Sequence, residues 1–328
     1  MYKLNQIRDV HLELTSKCQA RCPMCPRRIN GGILNPLITL NEIDLETFKK
    51  WFSIDFIQRL DSLFMCGNLG DPIIARDCLE IAQYLRQTNP DIKLSMHTNG
   101  SARSAEWWSK LAKVDVRVVF GLDGLADTHS LYRIGTDFHK IIENAKAFID
   151  AGGKAEWHML VFKHNEHQVQ DCKEMSETLK FDKFQIKHTS RFVDNVFHAL
   201  DETGKTTHVL QPTTKSKETS VKLQQNIKNV APVITCKALV SKQIYVGANG
   251  DISPCCWLDF SWILPNQDSR IAHMNFVGTI PNLNIQSLEE VFNSYYFEDI
   301  RSTWGSSIAT ECTKQCGSFD KLGSQFEH

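Results

Sequence analysis

The chain has 328 residues, 42% of them apolar and 23% charged, with 37 Lys and Arg against 38 Asp and Glu. That length and apolar share suit one large domain, or one plus a smaller one, and exclude wholesale disorder and a disulfide-stapled mini-protein. A net charge of −1 argues against a whole-surface electrostatic grip on nucleic acid.

The N-terminus, MYKLNQIRDVHLEL, carries charges where a signal peptide needs an apolar run. No stretch approaches the roughly 18 apolar residues of a membrane span. A cytoplasmic protein is therefore expected. Val10–Thr15 alternates, with Val10, Leu12 and Leu14 on one face and His11, Glu13 and Thr15 on the other, as a strand does. A helix is predicted over 45–52, with Asp44 as its N-cap. Ser62–Cys66 reads as a strand and 75–87 as a helix. Ile92–His97 reads as a strand that ends in the turn Thr98-Asn99-Gly100. Helix 102–113, strand 114–120 and the turn Gly121-Leu122-Asp123-Gly124 follow. Helix 138–151 stops at Gly152-Gly153. Strand 155–162, helix 166–179 and strand 183–188 complete a regular alternation.

Six strands separated by helices imply a parallel sheet with helical crossovers, either a doubly wound sheet or a partial or full barrel. Ligands bind at the carboxyl ends of the strands in both. Residues 201–230, rich in Thr and Lys without an aromatic, read as a linker or exposed excursion with a short helix near 221–230. Two strand pieces around Gly250 and a helix near 287–294 belong to the C-terminal part.

Eleven cysteines in a chain without a secretory signal point to metal or redox chemistry rather than disulfides. Cys18, Cys22 and Cys25 form a C-x3-C-x2-C run just after the first strand. Three thiolates can hold three irons of a 4Fe–4S cubane and leave the fourth open to a chelating ligand. A zinc site completed by a distant cysteine is the alternative.

On these residues the chain resembles the radical S-adenosylmethionine (radical SAM) enzymes. The triplet matches the family's cluster motif, with Met24 where an aromatic is usual. Gly67–Pro72 resembles the loop whose backbone holds the SAM amino group, so Gly70, Asp71 and Pro72 are implied SAM contacts, with Asp71 where Glu is commoner. Thr98-Asn99-Gly100 matches the turn after the third strand and brings in Asn99. Gly121–Gly124 with Tyr132 and Arg133 resembles the segment after the fourth strand. Asp123 and Arg133 are implied contacts, Arg133 to the SAM carboxylate. The usual Ser at Gly121 is missing, and its contact with it. Val161–His167 (VFKHNEH) also resembles the family.

The resemblance implies a partial (β/α)6 TIM barrel over 1–200 and a small α+β auxiliary-cluster domain over 231–328. The spacing of Cys236, Gly250, Cys255, Cys312 and Cys316 is similar to the SPASM extension, or to its shortened form, twitch. The full form has seven cysteines. Here its C-x2-C and terminal cysteine are missing, and the four that remain suffice for one auxiliary 4Fe–4S cluster, with zinc as the alternative. Adjacent residues in an extended segment point oppositely, so Cys256 is not expected to share an iron with Cys255.

The implied activity is reductive cleavage of SAM to a 5′-deoxyadenosyl radical, which takes hydrogen from a small molecule or short peptide. The auxiliary cluster would serve electron transfer in an oxidation or cross-linking, and a flavodoxin or ferredoxin would be the donor. An epimerase is the second reading, with Cys66 or Cys256 as catalytic hydrogen donor. A non-enzymatic iron–sulfur or zinc protein is the third. The first strand begins near residue 9, so no leader-binding domain is expected before the barrel, and a leader-dependent peptide substrate is weakened, though not excluded, by that expectation. Arg27, Arg28, Lys163, His164, Lys187, His188 and Arg191 lie near strand ends and are candidates to favour an anionic substrate, or to form a solvated rim.

Overall fold

The computed structural model describes residues 2–189, 191–192, 195–215, 233–260, 280–304, 306 and 310–317. The helix expected over 221–230 lies outside them. Six parallel strands run in chain order: β1 (Asp9–Leu12), β2 (Ser62–Met65), β3 (Lys93–Thr98), β4 (Val116–Gly121), β5 (Lys154–Leu160) and β6 (Lys183–Lys187). The neighbouring order β1 to β6 and the helical crossovers give the expected α/β partial barrel.

The helix starts follow from their caps. Asp44 accepts the Thr47 N–H at the head of Leu45–Trp51, and Ser104 accepts that of Trp107 at the head of Ala105–Ala112. Asp137 does the same for Phe138–Asp150. That helix ends at Gly152, whose φ of +93° suits glycine, with Gly153 N–H returning to Phe148 O. A short helix, Ile54–Gln58, capped by Ser53, was not foreseen; five residues are too few to show a period.

The outward strand faces are apolar. Val118 and Phe120 on β4 and Trp157 and Met159 on β5 are buried against the helices, where Trp108 and Phe148 pack on Phe120. The inward face is polar and aromatic. His11, Phe64, His97 and His158 stand in ring contact at 5.0, 4.9 and 5.6 Å along β1, β2, β3 and β5. Below them Arg117 donates to Glu156 at 2.8 Å, and Glu156 also meets His158 at 3.1 Å.

After β6, strands β7 (Phe197–Leu200) and β8 (Thr206–Leu210) form an antiparallel hairpin, so the expected excursion begins within paired structure. The strand pieces around Gly250 are β9 (Gln243–Val246) and β10 (Ile252–Ser253). They join the main sheet rather than a separate one: β9 pairs parallel with β1, and β10 antiparallel with β9. The otherwise unpaired edge of β1 explains this, because its N–H and C=O groups need partners. No described helix is long and apolar enough to cross a membrane.

Candidate active site

The loop after β1 carries the first three cysteines and is fastened from several sides. Ser16 Oγ donates to Thr39 O at 2.9 Å, and Arg21 N–H to Ile134 O at 2.7 Å. Buried Arg27 donates to Cys18 O and, at 3.2 Å, to Ala20 O. Arg191 reaches Met24 O at 2.8 Å. Met24 packs in one apolar cluster with Ala20, Cys22, Tyr132, Phe162 and Phe192, which is the packing an aromatic would provide there. The three thiols share one electrostatic neighbourhood. Burial, then Asp71 and Cys22, push the Cys18 thiol up. Burial pushes Cys22 up to about 11 against the pull of Arg133. Thiolates gathered this way need a cation to stay ionised.

The loop after β2 closes on this one. A Cβ on Gly70 would stand 1.8 Å from Thr15 O, and one on Gly67 would stand 1.9 Å from Gly70 O, so both positions need glycine. Buried Asp71 ties three loops together. Its Oδ1 accepts the Thr98 hydroxyl at 2.8 Å, and its Oδ2 accepts Asn99 N–H at 2.7 Å and Asn99 Nδ2 at 2.5 Å. Asn99 Nδ2 also lies 3.6 Å from Cys18 Sγ, and Asn99 Oδ1 accepts Gln19 Nε2 at 2.7 Å. Gly70, Asp71 and Asn99 therefore stand around Cys18, with Pro72 opening the next short turn.

After β4, Asp123 has no exposure. It accepts Leu160 N–H at 2.6 Å and Arg133 Nε at 2.5 Å. Burial opposes the charge on Arg133, and Asp123, Cys22 and Tyr132 together outweigh it; burial in turn raises the Asp123 carboxyl against the pull of Arg133. His129 Nδ1 accepts Asp123 N–H at 3.2 Å, and burial drops its pKa to about 3, so the ring is neutral. A Cβ on Gly121 would meet Arg133 Nη2 at 2.6 Å. The guanidinium thus fills the space that the family's usual Ser would need.

Cys236, Cys255, Cys312 and Cys316 line one small cavity, together with Ile234, Trp257 and Trp304. Thr235 N–H donates to Cys316 O at 2.9 Å, which holds the two halves of the set together. A hydrogen bond from Cys236 pulls the Cys316 thiol down and pushes that of Cys236 up. Burial raises Cys255 and Cys312 to about 12. Cys256 turns away and lies near Cys66, Asn68 and Glu13. Cys66 is half-buried near Glu13 and Asp71 and stands 3.8 Å from Asn68 Oδ1. Among the described residues no group of three or more His, Cys, Asp or Glu converges on a point fit for a single ion. Cubane ligands sit on different irons and do not need that convergence.

The structure thus brings the expected residues into two thiol sets, plus the Asp71–Asn99 and Asp123–Arg133 ties. It corrects two rim residues. Arg27 and Arg191 donate to backbone carbonyls of the cysteine loop, because that loop lacks regular structure and its carbonyls need donors. Arg28 donates to Gly32 O at 2.6 Å and pairs with Glu202 at 3.3 Å. His164 stacks on Phe162, and burial lowers its pKa to about 4. Sequence reasoning gave no role to Glu13 or Tyr245, which join at 2.7 Å beneath the Gly67–Gly70 loop. The one available signal was a Glu on the polar face of a strand that ends at the site.

The radical SAM superfamily model matches residues 12–175, half of the chain, and the chain belongs to that superfamily. The SPASM model, an iron–sulfur cluster-binding domain, matches residues 236–317. The cofactors are accordingly a SAM-binding 4Fe–4S cluster, SAM itself and an auxiliary iron–sulfur centre. No curated protein matches the chain by sequence. Among solved structures, Streptococcus suis SuiB bound to S-adenosylmethionine matches with TM-score 0.60 and 16% identity, over 90% of this chain and 68% of SuiB. SuiB bound to its precursor peptide SuiA gives TM-score 0.58 at 16% identity, over 90% and 67%. Native anSMEcpe with bound AdoMet and Cp18Cys peptide gives TM-score 0.56 at 14% identity, over 89% and 81%. These likenesses concern the fold.

Proposed function

We propose that this radical SAM enzyme is an oxidoreductase that oxidises or cross-links a short peptide or small molecule, with one auxiliary 4Fe–4S cluster of the twitch type. In this reading Cys18, Cys22 and Cys25 hold three irons of the first cluster, and Cys236, Cys255, Cys312 and Cys316 hold the auxiliary one. When bound, the reduced first cluster and SAM supply a 5′-deoxyadenosyl radical, and the auxiliary cluster supplies an electron acceptor. Backbone carbonyls of the Gly67–Pro72 loop receive the ammonium group of SAM. Asp71 holds that loop against Asn99, and Asp123 aims Arg133 at the SAM carboxylate. The apolar cluster around Met24 and Phe162 shields the thiols from water. The electron donor is a flavodoxin or ferredoxin, and residues 1–200 and 231–328 form the two functional units.

The observation that carries this reading is that the two cysteine sets are gathered separately, one beside Asp71 and Asn99 and the other around its own cavity. A peptide substrate is supported by the peptide-bound forms of SuiB and anSMEcpe. Iron and sulfide analysis of the reconstituted protein tests the count. About eight irons are expected, falling to about four when Cys18, Cys22 and Cys25 are all changed to Ala. Reduced protein that fails to release 5′-deoxyadenosine from SAM refutes the reading.

An epimerase remains the second reading, because Cys66 and Cys256 lie close to one another near the Gly67–Gly70 loop. Deuterium from solvent in the product favours it; unlabelled product favours oxidation.

A further inference from the structure

Glu13 follows β1 and is 1% exposed. Its Oε1 accepts the backbone N–H of Leu69 and, at 3.1 Å, that of Gly70. Its Oε2 accepts the Tyr245 hydroxyl at 2.7 Å. Tyr245 stands buried on β9, within the segment that the iron–sulfur domain model matches. One side chain therefore connects the end of β1, the glycine loop after β2 and the C-terminal segment. Asp71 fastens the far end of this loop, and Glu13 takes the Leu69–Gly70 part. Gly67 and Gly70 contribute no side chains, and the two N–H groups between them and Asp71 converge on one oxygen. A carboxylate accepts from all three donors at once. An amide would leave one oxygen for them and turn an NH2 toward the others.

We propose that Glu13 is a positioning residue for SAM: it sets the Leu69–Gly70 turn against the amino-acid end of the nucleotide and, through Tyr245, makes that turn sense the seating of β9. The inference rests on the reading of this loop as a SAM contact. Burial raises the Glu13 carboxyl to about 7, against the pull of its hydrogen bonds from Leu69, Tyr245 and Gly70. The titratable groups facing it are Tyr245 on β9, Cys66 after β2 and Cys256 after β10, with Asp259 next to Tyr245 and Cys256. The ionised form, which accepts all three bonds, prevails above neutrality.

The test uses the full-length, cluster-reconstituted protein, with the SAM Kd from anaerobic titration and kcat and KM from 5′-deoxyadenosine release. Glu13→Gln should raise Kd and KM for SAM about tenfold, the loss of roughly one charge-assisted hydrogen bond, while kcat changes by less than about twofold. Tyr245→Phe should raise both by about threefold, on the same scale. Wild-type affinity should weaken below about pH 7 and that of Glu13→Gln should not. A purely structural role would lower iron content or stability without separating KM from kcat. Glu13→Gln with full iron content and unchanged SAM affinity overturns the proposal. Should that variant fail to hold iron, Tyr245→Phe decides, and unchanged affinity there overturns it. A wild type that binds no SAM overturns the underlying loop reading as well; a wild type that binds SAM while both variants match it sinks this proposal alone.

Discussion

Asp71 is the most heavily bonded side chain at the site, and its removal gives a sharp prediction. Its two oxygens accept four donors: Thr98 Oγ1, Asn99 N–H, Asn99 Nδ2 and, at 3.3 Å, Ile73 N–H. Asp71→Ala strands the buried Thr98 hydroxyl and Asn99 N–H, at about 1–3 kcal/mol for each. The Asn99 side chain keeps its Gln19 partner and so softens the loss. A destabilisation of about 4 kcal/mol follows, a large share of the 5–15 kcal/mol typical of a domain. Asp71→Asn keeps one acceptor and should cost about 2 kcal/mol. Denaturant unfolding under anaerobic conditions measures both, with m-values compared to confirm a common unfolded state. Iron retention should fall in the same order, because Asp71 helps to hold Asn99 against Cys18. An Asp71→Ala protein within about 1 kcal/mol of wild type, by the same scale, refutes the claim that this carboxylate fastens the loops.

Gly121→Ser must push the Arg133 guanidinium aside, because the new Cβ would stand 2.6 Å from Nη2. It should cost about 1–2 kcal/mol by overpacking and raise the SAM KM several-fold, checked by unfolding and by 5′-deoxyadenosine release. For Glu13, the folded pKa of about 7 lies above the unfolded value near 4.5. Its stabilising contribution is therefore fully present below about pH 4.5 and is lost as pH rises through about 7. Wild type should lose up to about 3 kcal/mol relative to Glu13→Gln across that window, seen in urea unfolding at stepped pH. Cys316→Ser should remove about four irons of about eight and leave cleavage of SAM intact while product formation stops. Loss of all iron in that variant speaks against independent clusters.

Much of the architecture was legible because strand and helix periods are local. Val10, Leu12 and Leu14 alternate, and Asp44 and Gly152 bound helices where their side-chain chemistry says they should. What the period cannot show is what covers each face. His11, Glu13 and Thr15 read as a polar face, which on a single sheet would meet water. In a curved sheet that face looks into the barrel, and all three are buried. The same blindness hid where β9 pairs: Gln243–Val246 reads as a strand piece, but its partner, β1, lies more than two hundred residues away. Likewise Arg27 and Arg191 carry charge that suggests a substrate, until the bare carbonyls of Cys18, Ala20 and Met24 are seen beside them.

The site residues that motif spacing picked out are those that could touch SAM or iron. Those it missed hold the first group in place. Asp71 belongs to both sets. It stands where a longer Glu is commoner, and its shorter reach keeps both oxygens on the Thr98–Asn99 turn rather than letting them extend into the site. In the proposed reading the loop's contact with SAM is made by its backbone, whose shape must then be fixed from behind. Glu13 stands at that place, accepting the N–H groups of Leu69 and Gly70. A Glu at 71 would add a methylene to a side chain that is itself buried beside buried Pro72 and Ile73, so Asp71→Glu should lower stability by about 1–3 kcal/mol despite its family precedent. Thermal or denaturant unfolding checks it, and a neutral or stabilising Asp71→Glu would show that the turn yields more freely than its buried hydrogen bonds imply.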